Sequence, residues 1–183
     1  MNRCSWCNLN NKKYVEYHDN EWCKANFEDK YLFEMLILES FQAGLSWECI
    51  LNKRDSFRLA YDNFDIDKII LYDEIKIKEL LNNKDIIRNK LKILSSINNA
   101  KIFKSIVLEY KSFYNYLCKF TNGKKFYEIN LTKSNLSDAI SLDLTKRGMK
   151  FVGSTIIYSY LQAIGIINSH EESCYLYEVN KWY

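Results

Sequence analysis

A chain of 183 residues is long enough for one domain or for two small lobes sharing a core, and a hydrophobic fraction of 48% can fill that core. The net charge of +3 is compatible with a polyanionic partner without requiring one, and no apolar run reaches membrane-spanning length. The polar opening MNRCSWCNLNNKKY has no signal-peptide pattern, so six cysteines are expected in a reducing cytoplasm, as metal ligands or buried thiols rather than disulfides.

In chain order the predicted elements are almost all helical. Residues 29–40 are nearly continuously apolar, broken by Glu34 and Glu39, and predict a buried helix with a carboxylate near its end. Gly44 can make the turn that follows, and Ser46 can cap a second helix running to residue 64. Asp73 can cap a third through residue 81. Residues 86–110 carry apolar side chains at close to helical spacing. A short helix is expected over 115–120, a loop over 121–135, and a helix over 135–147 with Gly148 just past its end. Ser154 can cap the next helix, which Gly165 closes. Asn168 and Glu171 have capping-box spacing, which places another helix start there. Period-2 alternation is scarce, so the expected class is all-α, although the Ile- and Tyr-rich pieces would suit strands.

Charge is unevenly spread. Lys84, Arg88, Lys90, Lys92, Lys101 and Lys104 face one acid, Asp85, in a short basic stretch, while residues 16–39 hold seven acids against Lys24 and Lys30. Such a stretch reads as a phosphate-binding face or as an ordinary solvated one.

The two histidines, His18 and His170, each have a cysteine at workable distance. His170 and Cys174 are i and i+4, and Cys4 lies near His18. Two thiolates and two imidazoles make a closed, neutral, structural zinc site, here one that would join the two ends of the chain. A chance pair at each end is the other reading of the same spacing. A local finger from Cys4, Cys7, His18 and Cys23 is a third, although its ten-residue gap suits no common finger. A redox C-x-x-C is weaker still, with no βαβ pattern around it. Glu39 is costly beside an apolar run unless it has a partner, and Tyr14, Tyr17, Gln42 and Trp47 are near it in sequence. An acid among aromatic faces suits a flat cationic ligand. An exposed helix-end residue is the plainer alternative.

The chain resembles the DNA-3-methyladenine glycosylase I family, the bacterial constitutive enzymes. The resemblance rests on Arg3-Cys4-x-Trp6, on Tyr17-His18-Asp19-Asn20-Glu21-Trp22 with Tyr14, and on Leu32-Phe33-Glu34-Met35-x-x-Leu38-Glu39. It continues through Gln42-Ala43-Gly44-Leu45-Ser46-Trp47, Ile86-Ile87-Arg88 and Lys146-Arg147-Gly148-x-Lys150-Phe151-Val152-Gly153-Ser154-Thr155, and on to His170 and Cys174. These strings cover nearly the whole chain, in order.

The resemblance implies an all-α helix-hairpin-helix DNA glycosylase fold, with two helical lobes flanking a base pocket and a zinc site joining the termini, all within one domain over 1–183. It places Cys4, His18, His170 and Cys174 on one structural Zn2+. It places Glu39, as the catalytic carboxylate, with Tyr14, Tyr17, Trp47, Trp6 and Ser159 around the base. The hairpin would be residues 80–89, and Asp85 stands where the family usually has Gly, as Leu91 does for another common Gly. Asp tolerates a left-handed backbone less well than Gly.

The implied activity is the release of 3-methyladenine from alkylated double-stranded DNA by a cytoplasmic monomer that touches no membrane. Methylation already makes the base a cationic leaving group, so no general base is named. Leu45 is the expected wedge, Arg88, Lys90, Lys146 and Arg147 the expected phosphate contacts, and Trp47 with Tyr17 the expected sandwich around the base, while Glu39 accepts from its amine. The alternative is a zinc-dependent nucleic-acid-binding module without activity. Glu39 and Trp47 argue against it, and Asp85 alone favours it.

Overall fold

The computed structural model describes residues 1–177. Its helices are α1 (Lys12–Asn20), α2 (Asp29–Gln42), α3 (Trp47–Ala60), α4 (Ile66–Ile69), α5 (Glu74–Asn82), α6 (Lys90–Tyr110), α7 (Phe113–Thr121), α8 (Asn135–Lys146) and α9 (Ser154–Ala163). Two short strands, β1 (Phe126–Tyr127) and β2 (Ile167–Asn168), pair in parallel. The fold is the mostly helical one expected, with this two-residue ladder as its exception.

The organising element is α2. Every residue from Leu32 to Phe41 is buried, so the helix is covered on all sides rather than along one stripe. It packs against α3 and α6 in one lobe and against α7 and α9 in the other. Burying each Leu, Ile or Phe of this run contributes about 1.5–3 kcal/mol, which is why this largely apolar helix sits where both lobes can cover it.

Caps set many of the boundaries. Ser46 accepts from Cys49 N at the start of α3, and Asp73 accepts from Lys76 N at the start of α5, as the sequence predicts. Other expectations need correction. The helix expected to reach residue 64 stops at Ala60, because Asp62, Asn63 and Phe64 all take positive φ in a 3₁₀ turn. The helix expected from 86 begins at Lys90, capped by Asn89, since 86–89 form the loop of the hairpin between α5 and α6.

α9 is capped at Gly153 rather than at Ser154, whose hydroxyl instead meets that of Ser137 at 2.8 Å. No helix starts at 168–171: Asn168 ends β2, and its side chain accepts from His170 N in a tight turn. Helix α1 had no counterpart among the expected elements, because its nine residues carry few aliphatic side chains; Asn11 caps it.

Two backbone positions decide local geometry. Asp85 does not take the left-handed conformation that its place in the hairpin raised as a concern. Its amide is instead bonded to the Asn83 side chain at 2.9 Å. Gly165, at φ +78, passes so close to Lys24 that a Cβ would lie 2.4 Å from the Lys24 carbonyl carbon. Only glycine fits there, and this close approach seats residues 23–26 against the end of α9.

Candidate active site and metal-binding cluster

A cavity of about 280 Å³ opens between the N-terminal segment, α1, the end of α2, the start of α3, α9 and the segment after β2. Tyr14 and Tyr17 are one turn apart on α1 and point inward together. Glu39 lies in the last turn of α2, and Trp47 is the first residue of α3. The turn between them holds Gly44 at φ +79 and is closed by Leu45 N donating to Gln42 O (2.7 Å) and Gln42 Nε2 donating to Leu45 O (3.0 Å). Trp6 packs edge-on against Trp22 at 4.6 Å and against Tyr14 at 5.3 Å. All six residues expected around the base line this one cavity: Trp6, Tyr14, Tyr17, Glu39, Trp47 and Ser159.

Glu39 is 3% exposed, and its carboxylate makes no hydrogen bond to the protein. Burial alone pushes its pKa up to about 8. Tyr14 is pushed up to about 12, and Tyr17 well above its ordinary value, by burial first and the nearby Glu39 carboxylate among the further causes. The Trp47 Nε1 donor is also buried without a partner. Among the described residues, the lining holds two carboxylates, Glu39 and Glu171, and no cationic side chain. Aromatic faces, an unpartnered acid and the absence of a counter-cation suit a flat ligand that carries positive charge and N–H donors.

One expectation changes. The Tyr17 and Trp47 rings are 5.3 Å apart, centroid to centroid, and tilted by 49°. A base between two faces needs roughly 7 Å, two van der Waals layers. The two rings therefore form one continuous wall and do not sandwich a ligand in this arrangement.

Several lining residues were not anticipated as such. Gln162 lies three residues after Ser159 on the same face of α9, a spacing readable from sequence. Ser169 and Glu171 flank His170, and Asn130, at φ +61, belongs to a loop crossing the rim. No pattern in the sequence marks these three.

The site has a rigid support. Arg54 of α3 donates to Glu34 of α2 (2.6 Å) and to Glu21 at the end of α1 (2.7 Å). One buried guanidinium thus ties together the three helices that carry Tyr17, Glu39 and Trp47.

Beside the cavity, Cys4, His18, His170 and Cys174 are all buried, with their ligand atoms within 4.8 Å of one another. Cys4 Sγ and Cys174 Sγ each lie 3.5 Å from His170 Nδ1, and Cys174 Sγ lies 3.5 Å from His18 Nε2. Cys7 and Cys23 stay outside the cluster. Cys7 faces Tyr14 O at 3.9 Å, and Cys23 Sγ accepts from Ser169 N at 3.3 Å, so the local four-residue finger does not form.

His18 is oriented by Asp19 (2.8 Å), which Arg3 grips with two bonds; these bonds hold the Asp19 carboxyl well below the usual range. Burial pushes the Cys4 thiol up, and burial lowers His170 to about 3. Two imidazoles that burial disposes to stay neutral, together with two cysteine sulfurs, are a donor set that can hold a metal ion.

The expected DNA contacts fall into two groups. Leu45 is 38% exposed in the Gly44 turn, between Gln42 and Trp47, which both line the cavity. Arg88, Lys90 and Lys146 are exposed without ion pairs. Arg147 instead pairs with Glu109 (2.7 Å) and Asp143 (2.9 Å). Within the basic stretch, Lys104 pairs with Asp67 at 2.8 Å. Lys92 is buried, which removes it from any phosphate-binding face.

Residues 6–177 match the model of a family described as methyladenine glycosylase. The chain is 38% identical to the DNA-3-methyladenine glycosylase 1 of Escherichia coli (strain K12), over 99% of this chain and all of that one. Among solved structures it resembles a 3-methyladenine DNA glycosylase I at 37% identity and a TM-score of 0.91, covering 95% of this chain and 98% of that one. The 3-methyladenine DNA glycosylase I from Staphylococcus aureus, solved for the structural basis of 3-methyladenine recognition, is 30% identical with a TM-score of 0.90, over 96% of each chain.

Proposed function

The chain belongs to the methyladenine glycosylase family, and from that premise we propose that it excises 3-methyladenine from alkylated DNA and leaves an abasic site. The observation that carries this reading is Glu39: a buried carboxylate without a partner, in a cavity of aromatic faces that offers no counter-cation. An empty site of this kind is stabilised by a proton, and an N3-methylated adenine supplies positive charge in its place. Unmodified adenine does not, and selectivity follows from that difference.

The damaged nucleotide leaves the duplex at reduced cost, because a lesion pairs and stacks poorly. Leu45 fills the gap, the Tyr17–Trp47 wall takes one face of the base, and Glu39 accepts from its amine. As the glycosidic bond breaks, its electron pair passes to the base and cancels the base's positive charge. Glu39 therefore serves by selecting the charged base and accepting from its amine, and the methylation itself makes the base a good leaving group. Water attacks the sugar and gives up one proton to solvent, and neutral 3-methyladenine remains in the cavity as product. Arg88, Lys90 and Lys146 hold phosphates and set the register of the duplex. Arg147, neutralised by Glu109 and Asp143, has less charge to offer them.

The metal in this reading is one zinc ion with a structural role. A tetrahedron with Zn–S of about 2.3 Å and Zn–N of about 2.0–2.1 Å has S···N edges of roughly 3.5 Å. The three such separations given above are 3.5 Å each. Cys4, His18, His170 and Cys174 would fill all four positions, so the ion would tie the termini together and would supply no chemistry at the base cavity. The protein is read as a single domain over 1–183, of which 178–183 lie outside the described residues, and as a cytoplasmic monomer. No helix among the described residues is long and apolar enough to cross a membrane.

The test is incubation with methylated duplex DNA and chromatography of the released bases. Release of 3-methyladenine, without release of adenine from unmethylated DNA, is the expected result. A protein that binds methylated DNA and releases no base is a binding module instead.

A further inference from the structure

Lys92 is a buried cation with no acid beside it. It is 7% exposed on the first turn of α6, directly after the hairpin loop, and its backbone amide donates to the capping side chain of Asn89 at 3.1 Å. Its Nζ donates to Phe41 O (2.8 Å) and Ala43 O (2.6 Å), the last carbonyls of α2 before the Gly44–Leu45 turn. Carbonyls at a helix C-terminus have no intrahelical partner, and that end of the helix attracts positive charge. Burying an ammonium against neutral acceptors is nevertheless costly, and burial lowers its pKa. A neutral side chain or solvent could serve those carbonyls at lower cost, so the position calls for another explanation.

The surroundings supply one. Ala43 directly precedes Gly44 and Leu45, and Gln42, whose side chain closes the same turn, lines the base cavity. On the other side of the ammonium, the Phe151 ring lies 5.8 Å away. Phe151 has φ +55, and its loop is held to α6 by Asn98 donating to Gly148 O (3.0 Å) and Asn99 donating to Lys150 O (2.8 Å). Three pieces of backbone thus meet at the start of α6: the hairpin loop with Arg88 and Lys90, the turn with Leu45, and the loop 148–151.

We propose that Lys92 is a positioning residue that locks the Leu45 turn to the hairpin helix, so that phosphate capture by the hairpin and insertion of Leu45 are one rigid-body event. This rests on the reading of Leu45 as the wedge. Lys92 does not line the base cavity, and little of it reaches the outer surface. It acts by fixing where Leu45 stands relative to Arg88 and Lys90.

The experiment is a double-mutant cycle on Lys92→Met and Leu45→Ala, read by base release from methylated duplex DNA and by the fluorescence of a reporter base beside the lesion, with salt dependence of duplex binding as control. Lys92→Gln, which keeps an N–H donor, is measured alongside as the milder variant, so that the cycle stands on a folded protein. In each single variant, base release and the extrusion signal are expected to fall at least about tenfold, with zinc content kept. Adding Lys92→Met or Lys92→Gln to Leu45→Ala should then cost less than about threefold more. The salt slope should stay at its wild-type value, because no phosphate contact is lost.

Additive losses in the cycle, or wild-type extrusion in both Lys92 variants, would overturn the proposal while leaving the wedge intact. A slope reduced by about one unit would make Lys92 a phosphate contact instead. Wild-type extrusion in Leu45→Ala would overturn the wedge reading itself, and the Lys92 proposal with it.

Discussion

Cys4 Sγ lies 3.5 Å from His170 Nδ1, although the two residues are 166 positions apart. Tyr175 N also donates to Asn2 O at 2.9 Å, so the two ends meet along their backbones as well as at the cluster. With zinc bound there, Cys174→Ser should lose the metal and lower the melting temperature strongly, since binding energy at a structural zinc site is folding energy. Cys7→Ser should keep one zinc per chain, because the Cys7 thiol lies outside the cluster, 3.9 Å from Tyr14 O, and its backbone bond to Cys4 O survives the substitution. Metal analysis with thermal melting of both variants checks this. Zinc retained in Cys174→Ser and lost in Cys7→Ser would contradict it.

Arg88 lies in the hairpin loop and Lys90 directly after it, and neither carries an ion pair, so each should be free to displace a counterion from DNA. Arg88→Ala and Lys90→Ala should each reduce the slope of log affinity against log salt by about one unit. Arg147→Ala should change the slope less, and should destabilise the fold through the loss of its pairs with Glu109 and Asp143. Titration at several salt concentrations separates the two effects. Unchanged slopes in Arg88→Ala and Lys90→Ala would make that face an ordinary solvated one.

Glu39 also makes a prediction for stability against pH. Burial raises its folded-state pKa to about 8, from 4.5 in the ordinary state. Between those values the folded chain holds a proton that the unfolded chain has released, so stability declines as pH rises through this window. Glutamine cannot titrate. Glu39→Gln should therefore melt higher than the wild type, with an advantage small at about pH 5 and larger at about pH 8, amounting to as much as a few kcal/mol. Melting curves at the two pH values test it, and an equal difference at both would show that Glu39 titrates normally. A site residue whose removal stabilises the fold is held in place by function rather than by packing.

Much of this arrangement was readable before the structure. The apolar run around Leu32–Leu38 marked the central helix, and Ser46 and Asp73 marked two helix starts. The cysteine and histidine spacing alone left three arrangements open, since local spacing cannot say which distant segments meet. Caps misled where another demand won. Ser154 gave its hydroxyl to Ser137, and Asn168 was drawn into β2, so that His170 and Cys174 converge through a turn rather than a helix. Lys92 looked like one more surface lysine, because a sequence shows a charge but not the carbonyls that receive it. Ser169, Glu171 and Asn130 were invisible as pocket residues for the same reason: tertiary contact alone brings their segments to the cavity rim.

The most direct test of the central claim is a tryptophan-fluorescence titration of wild type and Glu39→Gln with 3-methyladenine. Trp6, Trp22 and Trp47 line the cavity and report on occupancy. Glutamine preserves size and one acceptor but removes the charge; a charge-assisted hydrogen bond is roughly twice as strong as a neutral one, and losing the charge in a dry pocket should cost about 1.5–3 kcal/mol. The account predicts binding roughly ten- to a hundredfold weaker in Glu39→Gln, with zinc content unchanged. Equal affinity in the two proteins would contradict it, and Glu39 would then be a buried helix-end residue with no part in reading the base.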